Sequence, residues 1–331
     1  MILLGKTHMK IKRVGFGGIP IQRITQEETN KVIDALEYEG VNFIDTARGY
    51  TISEDYIGNA LDGRRDKFFI ATKSMSRDYE GMKRDIDISL EKLKTDYIDL
   101  YQIHNLKPEE YKTIFDENKA YRALLEAKEE GKIKEIGITS HSLETIEKVV
   151  EDKKFSTVQF PYNIVENQAD DVFKKAHEKG IGVIVMKPLA GGALDDATLG
   201  IKYILSKEYI DVVIPGMESE KQVKENVATL KDTKLTDSDL LKIEEIKNTL
   251  GKRFCRRCEY CLPCPLGINI PQLFLLEGYY TRYNLKDWAK ERYATMDTKA
   301  NKCVECGLCE TRCPYDLPIR EMLKDVSKKL D

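Results

Sequence analysis

Cysteine is missing from the first 254 residues of this 331-residue chain, and all eight fall after that point. No disulfide can staple the larger part, and a chain this long does not need one, since folding buries roughly 75% of its extended surface. Charge of one sign is also missing. The 53 Lys and Arg stand against 56 Asp and Glu, a net charge of −3, so there is no whole-surface attraction for nucleic acid or an acidic membrane. Long apolar runs are lacking: the longest charge-free stretch, 260–276, is broken by Pro263, Pro265 and Pro271 and is a poor spanning helix. Ile2 to Leu4 is too short for the apolar part of a secretory signal, and Lys6, Lys10, Lys12 and Arg13 follow it. These absences lead us to expect a cytoplasmic protein with no nucleic-acid or membrane partner. A dinucleotide fingerprint is lacking too: Gly15-Phe-Gly17-Gly18 sits in a short N-terminal hairpin pattern and reads as turn geometry.

Before the cysteines, β-rich runs alternate with segments of helical periodicity. The runs are 41–45, 68–73, 98–104, 133–139, 157–163, 182–188 and 211–216, and between them lie 27–39, 82–93, 118–130, 170–179, 199–206 and 218–230. In the first helical segment Val32, Ile33, Ala35, Leu36 and Tyr38 are expected to face inward, Thr25 and Glu28 form a capping-box pattern, and Gly40 supplies a stop. Seven such units, closed by a short eighth strand near 233–235, predict an α/β fold, a (β/α)8 TIM barrel over residues 1–250. An open doubly wound sheet is the rival. The cysteine boundary predicts a second, smaller domain over 251–331.

In a barrel, chemistry sits at the C-terminal ends of the strands. Asp45, Lys73 and His104 each end an apolar run, and Tyr50 follows Asp45 in the loop Asp45-Thr-Ala-Arg-Gly-Tyr50. Taken singly, Asp45 reads as a helix cap, Lys73 as a snorkelling rim residue, Tyr50 as a pocket wall and His104 as a core imidazole. Three successive strand ends together suit carbonyl reduction. A phenol with a reference pKa of about 10 needs a cation such as Lys73 to release its proton. Asp45 can hold that ammonium, and His104 can orient the substrate oxygen.

Asp45-Thr-Ala-Arg-Gly-Tyr50, Lys73 and Tyr101-Gln-Ile-His104 resemble the Asp, Tyr, Lys and His tetrad of the aldo/keto reductases. The resemblance covers about residues 10–235. It implies a barrel binding NADP or NAD across its strand ends, acting on a small carbonyl or alcohol substrate. By the same resemblance Thr139, Ser140 and Gln159 contact the nicotinamide carboxamide, Met186 takes the place of the stacking aromatic, and Gly216, Gln222 and Asn226 match the adenosine-phosphate segment. Ser140, Met186 and the Gly216, Met217 and Gln222 positions depart from the family pattern and leave NADP against NAD open. Lys187 and Lys221 are candidate phosphate contacts, with a solvated surface role the plainer reading of Lys221.

The cysteines form two tight groups, 255/258/261/264 and 303/306/309/313, each ending in Cys-Pro. Thiolates at i, i+3 and i+6 suit three corners of a cubane, with the distant Cys completing the other cluster. This spacing assigns Cys255, Cys258, Cys261 and Cys313 to one [4Fe-4S] cluster, and Cys303, Cys306, Cys309 and Cys264 to a second. A pair of zinc sites is the alternative. The 38 residues between the groups look helical, so a mainly helical, ferredoxin-like domain is expected, of the kind found in the iron-sulfur-containing type of the family. The expected function is carbonyl–alcohol interconversion with electron relay through the clusters to a ferredoxin-like carrier. The alternative is an electron-transfer or redox-sensing module whose barrel binds NAD(P) without turnover.

Overall fold

Short parallel strands carry the larger part of the molecule. The computed structural model describes residues 1–257, 260–283, 285–313 and 315–331. A two-residue hairpin, β1 (Ile2–Leu3) and β2 (Lys10–Ile11), comes first. β3 (Phe16–Gly17), β4 (Phe43–Asp45), β5 (Phe69–Ser74), β6 (Ile98–Ile103), β7 (Ile133–Thr139), β8 (Thr157–Pro161), β9 (Gly182–Met186) and β10 (Val212–Val213) then pair in parallel, each with its neighbour in sequence. Parallel bridges also join Val14 to Val213 and Gly17 to Gly216.

Every one of the seven expected runs overlaps one of β4 to β10. The eighth strand is not at 233–235, which has no regular structure before a helix capped by Thr236. It is β3, inside the glycine group read as a turn. The glycines are there because backbones meet: a Cβ on Gly18 would stand 2.9 Å from the Asp45 carbonyl, and one on Gly17 2.8 Å from that of Ile214.

Helices α1 (Gln26–Tyr38), α2 (Ser53–Ala60), α3 (Tyr79–Lys92), α4 (Ala120–Glu129), α5 (Leu143–Asp152), α6 (Asp170–Lys179), α7 (Ala197–Leu205) and α8 (Glu220–Ala228) connect successive strands or follow the last. The capping box of α1 is present, Thr25 accepting from the Glu28 amide while the Glu28 carboxylate accepts from Thr25. Leu4, Met9 and Ile11 of the hairpin pack on Phe43, Ala71, Leu100, Ile184 and Val212. Each of these three side chains is fully buried, which stabilises the fold by about 1.5–3 kcal/mol apiece.

The second compact unit comprises Thr236–Asp331 together with Ile164–Glu166 and Leu189–Asp195. It is helical among the described residues: α9 (Asp237–Thr249), α10 (Ile270–Thr281), α11 (Lys286–Ala294), α12 (Leu308–Thr311) and α13 (Ile319–Leu330). Ile319, Leu323, Val326 and Leu330 recur at helical spacing and make the buried face of α13. They pack in one core with Ile270, Leu273 and Leu276 of α10 and Tyr293 of α11.

Candidate active site

Lys73 is the centre of the arrangement. It lies near the end of β5 with only 1% of its surface exposed, a burial no ammonium tolerates without partners. Its Nζ donates to Asp45 Oδ2 at 2.6 Å and to the Thr46 carbonyl at 2.7 Å, and it is also hydrogen-bonded to Tyr50. The same Nζ stands 5.0 Å from the centre of the Tyr50 ring. The His104 ring meets the Tyr50 ring edge-on, centroids 6.1 Å apart. Asp45, Tyr50, Lys73 and His104 therefore come together from β4, the loop after it, β5 and the end of β6.

The electrostatics follow from this geometry. Burial pulls the Lys73 value down, but Asp45 and Tyr50 outweigh it and hold the ammonium above its ordinary value. Burial pushes the Asp45 carboxyl up, against the pull of Lys73 and two glutamine amides. His104 is pushed down to about 3, by burial first and then by the positive charges of Lys73 and Arg77. It is a neutral imidazole at any ordinary pH.

Two supports escaped sequence reasoning. Gln102 of β6, fully buried, donates Nε2–H to Asp45 Oδ1 at 3.2 Å, and Gln159 of β8 bonds the same carboxyl. The signal for Gln102 was its parity: residues two apart on a strand share a face, and His104 is two residues on. Glu54, in the first turn of α2 and fully buried, accepts from Thr72 at 2.7 Å and Ser89 at 2.8 Å and pairs with Arg48. Arg48 in turn donates its backbone N–H to the Lys73 carbonyl at 3.0 Å. This network pins the loop that carries Tyr50. An acidic residue opening a helix looks solvated in sequence, so nothing marked Glu54.

The expected cofactor residues are spread over the ends of β7 to β9 and over α8. Thr139 accepts from the Asn105 amide at 2.8 Å. Ser140 spends its hydroxyl on the Leu106 carbonyl at 2.7 Å and accepts from the Ser142 amide. Gln159 Oε1 is buried with no partner. Met186 ends β9, and Lys187 beyond it adopts φ 55° while its carbonyl accepts from Asn163 Nδ2. Gly216 bridges Gly17; Gln222 and Asn226 lie on α8, where Gln222 Oε1 accepts from the Glu218 amide at 2.7 Å. Lys221 is exposed and 3.7 Å from Glu225.

The aldo/keto reductase family model matches residues 13–200, and that of a 4Fe-4S dicluster domain matches residues 254–318. L-galactose dehydrogenase of Arabidopsis thaliana is 27% identical over 298 residues, covering 75% of this chain and 93% of that protein. The Bacillus subtilis oxidoreductase YrpG is 30% identical over 227 residues, 59% of this chain and 68% of its own. The holo structure of aldo-keto reductase AKR11C1 from Bacillus halodurans matches 73% of this chain and 94% of its own at 25% identity, TM-score 0.65. This chain belongs to the aldo/keto reductase family. It is an oxidoreductase enzyme.

The expectation of two [4Fe-4S] clusters is corrected, and with it the iron-sulfur, metal-binding and electron-relay readings. Among the described residues no group of three or more His, Cys, Asp or Glu is placed to hold a metal ion. Cys261, Cys264, Cys303, Cys306 and Cys309 line one cavity, and Cys255, Cys261 and Cys313 a second. Cys258 lies outside the described residues. The dicluster match is a likeness of sequence; the described thiols do not fit the group, and the ferredoxin-like carrier loses its basis with the relay. Among the described residues no helix is long and apolar enough to cross a membrane.

Proposed function

We propose that this enzyme interconverts a small aldehyde or ketone and its alcohol, with Tyr50 as the proton donor and acceptor. The observation that carries this reading is the buried chain of contacts from Asp45 through Lys73 to Tyr50, with His104 against the same ring. Lys73 stabilises the phenolate left when Tyr50 gives its proton to the substrate oxygen. Asp45, steadied by Gln102 and Gln159, keeps Lys73 charged and in place. Neutral His104 donates a hydrogen bond to the carbonyl oxygen and orients it.

NADP or NAD supplies the hydride when bound. The residues present suit a dinucleotide: Gln159 offers a buried, unpartnered carbonyl to a carboxamide N–H, with Thr139 and Ser140 at the neighbouring strand end. Met186 and Lys187 lie beyond it, and Gly216, Gln222 and Asn226 at the last strand and α8 are the candidate phosphate-end contacts. The sheet is read as a closed (β/α)8 barrel, supported by the bridges from Val14 and Gly17 to the last strand. The chain is read as a reductase domain over 1–250 and a helical domain over 251–331.

The test is turnover of an aldehyde, ketone and alcohol panel with NADPH and NADH. Tyr50→Phe is expected to lower kcat by about 10²–10⁴ while leaving dinucleotide binding intact. A Tyr50→Phe enzyme as active as the parent refutes the assignment.

A further inference from the structure

Arg77 lies just past β5, before α3, and its guanidinium spans two strand ends. Nη2 donates to the carbonyls of His104 at 2.9 Å and Asn105 at 3.1 Å, and Nη1 to the Met75 carbonyl at 2.9 Å. Nε stands 3.1 Å from Glu110 Oε1. The turn it grips is tight, with Asn105 in the left-handed region at φ 52°, a conformation asparagine tolerates. The side chain is one-fifth exposed, so these bonds are not fully screened. His104 Nδ1, meanwhile, is buried with no partner.

We propose that Arg77 is a positioning residue for the carbonyl chemistry, tethering the His104–Asn105 turn and holding the imidazole as a neutral donor toward the substrate oxygen. The inference rests on the proposed function and deepens it. The division of labour at the site requires a neutral ring. An imidazolium, with a reference pKa of about 6.5, is a stronger acid than a phenol and would hand its own proton to the substrate in place of Tyr50. The groups facing the ring are the Tyr50 phenol, the Lys73 ammonium, with Asp45 behind it, and Arg77, with Glu110 behind it. Two fixed cations and burial all oppose protonation. With Nδ1 buried and unpartnered, Nε2 is the nitrogen left to meet the substrate oxygen.

Two variants separate charge from tether. Arg77→Gln removes the charge; Arg77→Lys keeps it and loses the planar fork that reaches three carbonyls. The chain has four His, so the His104 imidazole can be assigned by comparison with His104→Gln and titrated by NMR in the full-length protein without substrate. Arg77→Gln is expected to raise the His104 midpoint. Arg77→Lys is expected to leave that midpoint within about half a unit and to lower kcat about tenfold with the KM for dinucleotide unchanged. An unmoved His104 midpoint in Arg77→Gln, or a fully active Arg77→Lys, overturns the proposal. The titration needs no turnover, so its outcome is independent of whether Tyr50→Phe upholds the carbonyl reading.

Discussion

Replacing Asp45 by Asn removes one charge from a pair in which neither partner touches solvent, the carboxylate being 2% and Lys73 1% exposed. Breaking a buried pair from one side costs about 3–5 kcal/mol. The Thr46 carbonyl still accepts from Nζ at 2.7 Å, so the lower end, about 3 kcal/mol, is appropriate. At about 2–4 °C per kcal/mol for a domain of this size, Tm falls by about 6–12 °C. The loss has a pH signature. In the parent, the raised Lys73 value means stability that is fully present below the unfolded lysine pKa and lost as pH rises through the folded one. In Asp45→Asn the uncompensated ammonium can escape its penalty by losing its proton, so the gap in Tm narrows from pH 6 to pH 9. Thermal melts of both proteins across that range are the assay. A gap constant with pH, or no gap, refutes the buried ion pair.

Asp211, 4% exposed, is raised to about 6 chiefly by burial. Such a group opposes folding above that value and relaxes as pH falls toward the unfolded carboxylate range, so Asp211→Asn is expected to be more stable than the parent at pH 8, by at most about 3 kcal/mol, and no more stable at pH 4. Melts at the two values decide it; an equal gain at both counts against the argument. Gly58→Ala drives a methyl into the Lys92 carbonyl, where α2 crosses the end of α3, whereas a Cβ on Gly49 meets nothing. The first should lose about 1–3 kcal/mol in urea unfolding and Gly49→Ala almost none; matching midpoints would reject the close approach. Thr25→Ala removes the α1 capping box and should cost about 1 kcal/mol by the same measurement.

The strand–helix alternation and the tetrad were legible because both depend on local pattern: apolar runs, and polar residues where the runs stop. What the sequence hid depends on distant backbone. β3 is two residues long and glycine-rich, so it has no β-branched signature, and only its partners at Asp45 and Ile214 explain it. α2 went unnoticed because Ser53, Glu54 and Gly58 share its buried side with Ile57 and Ala60, which dilutes the usual apolar stripe. Gln102 and Glu54 are polar groups satisfied by residues tens of positions away, and no spacing rule reports that. The cysteine spacing was clear, yet spacing along a chain does not fix where thiols converge.

The bridges between Val14 and Val213 and between Gly17 and Gly216 bear on how the nascent chain matures. They join segments about two hundred residues apart, a separation that slows folding. At roughly 5–20 residues per second, a ribosome needs about 10–40 s to deliver the second segment after the first. Through that interval β3 has β4 on one side only, and its other edge waits exposed for a strand not yet made.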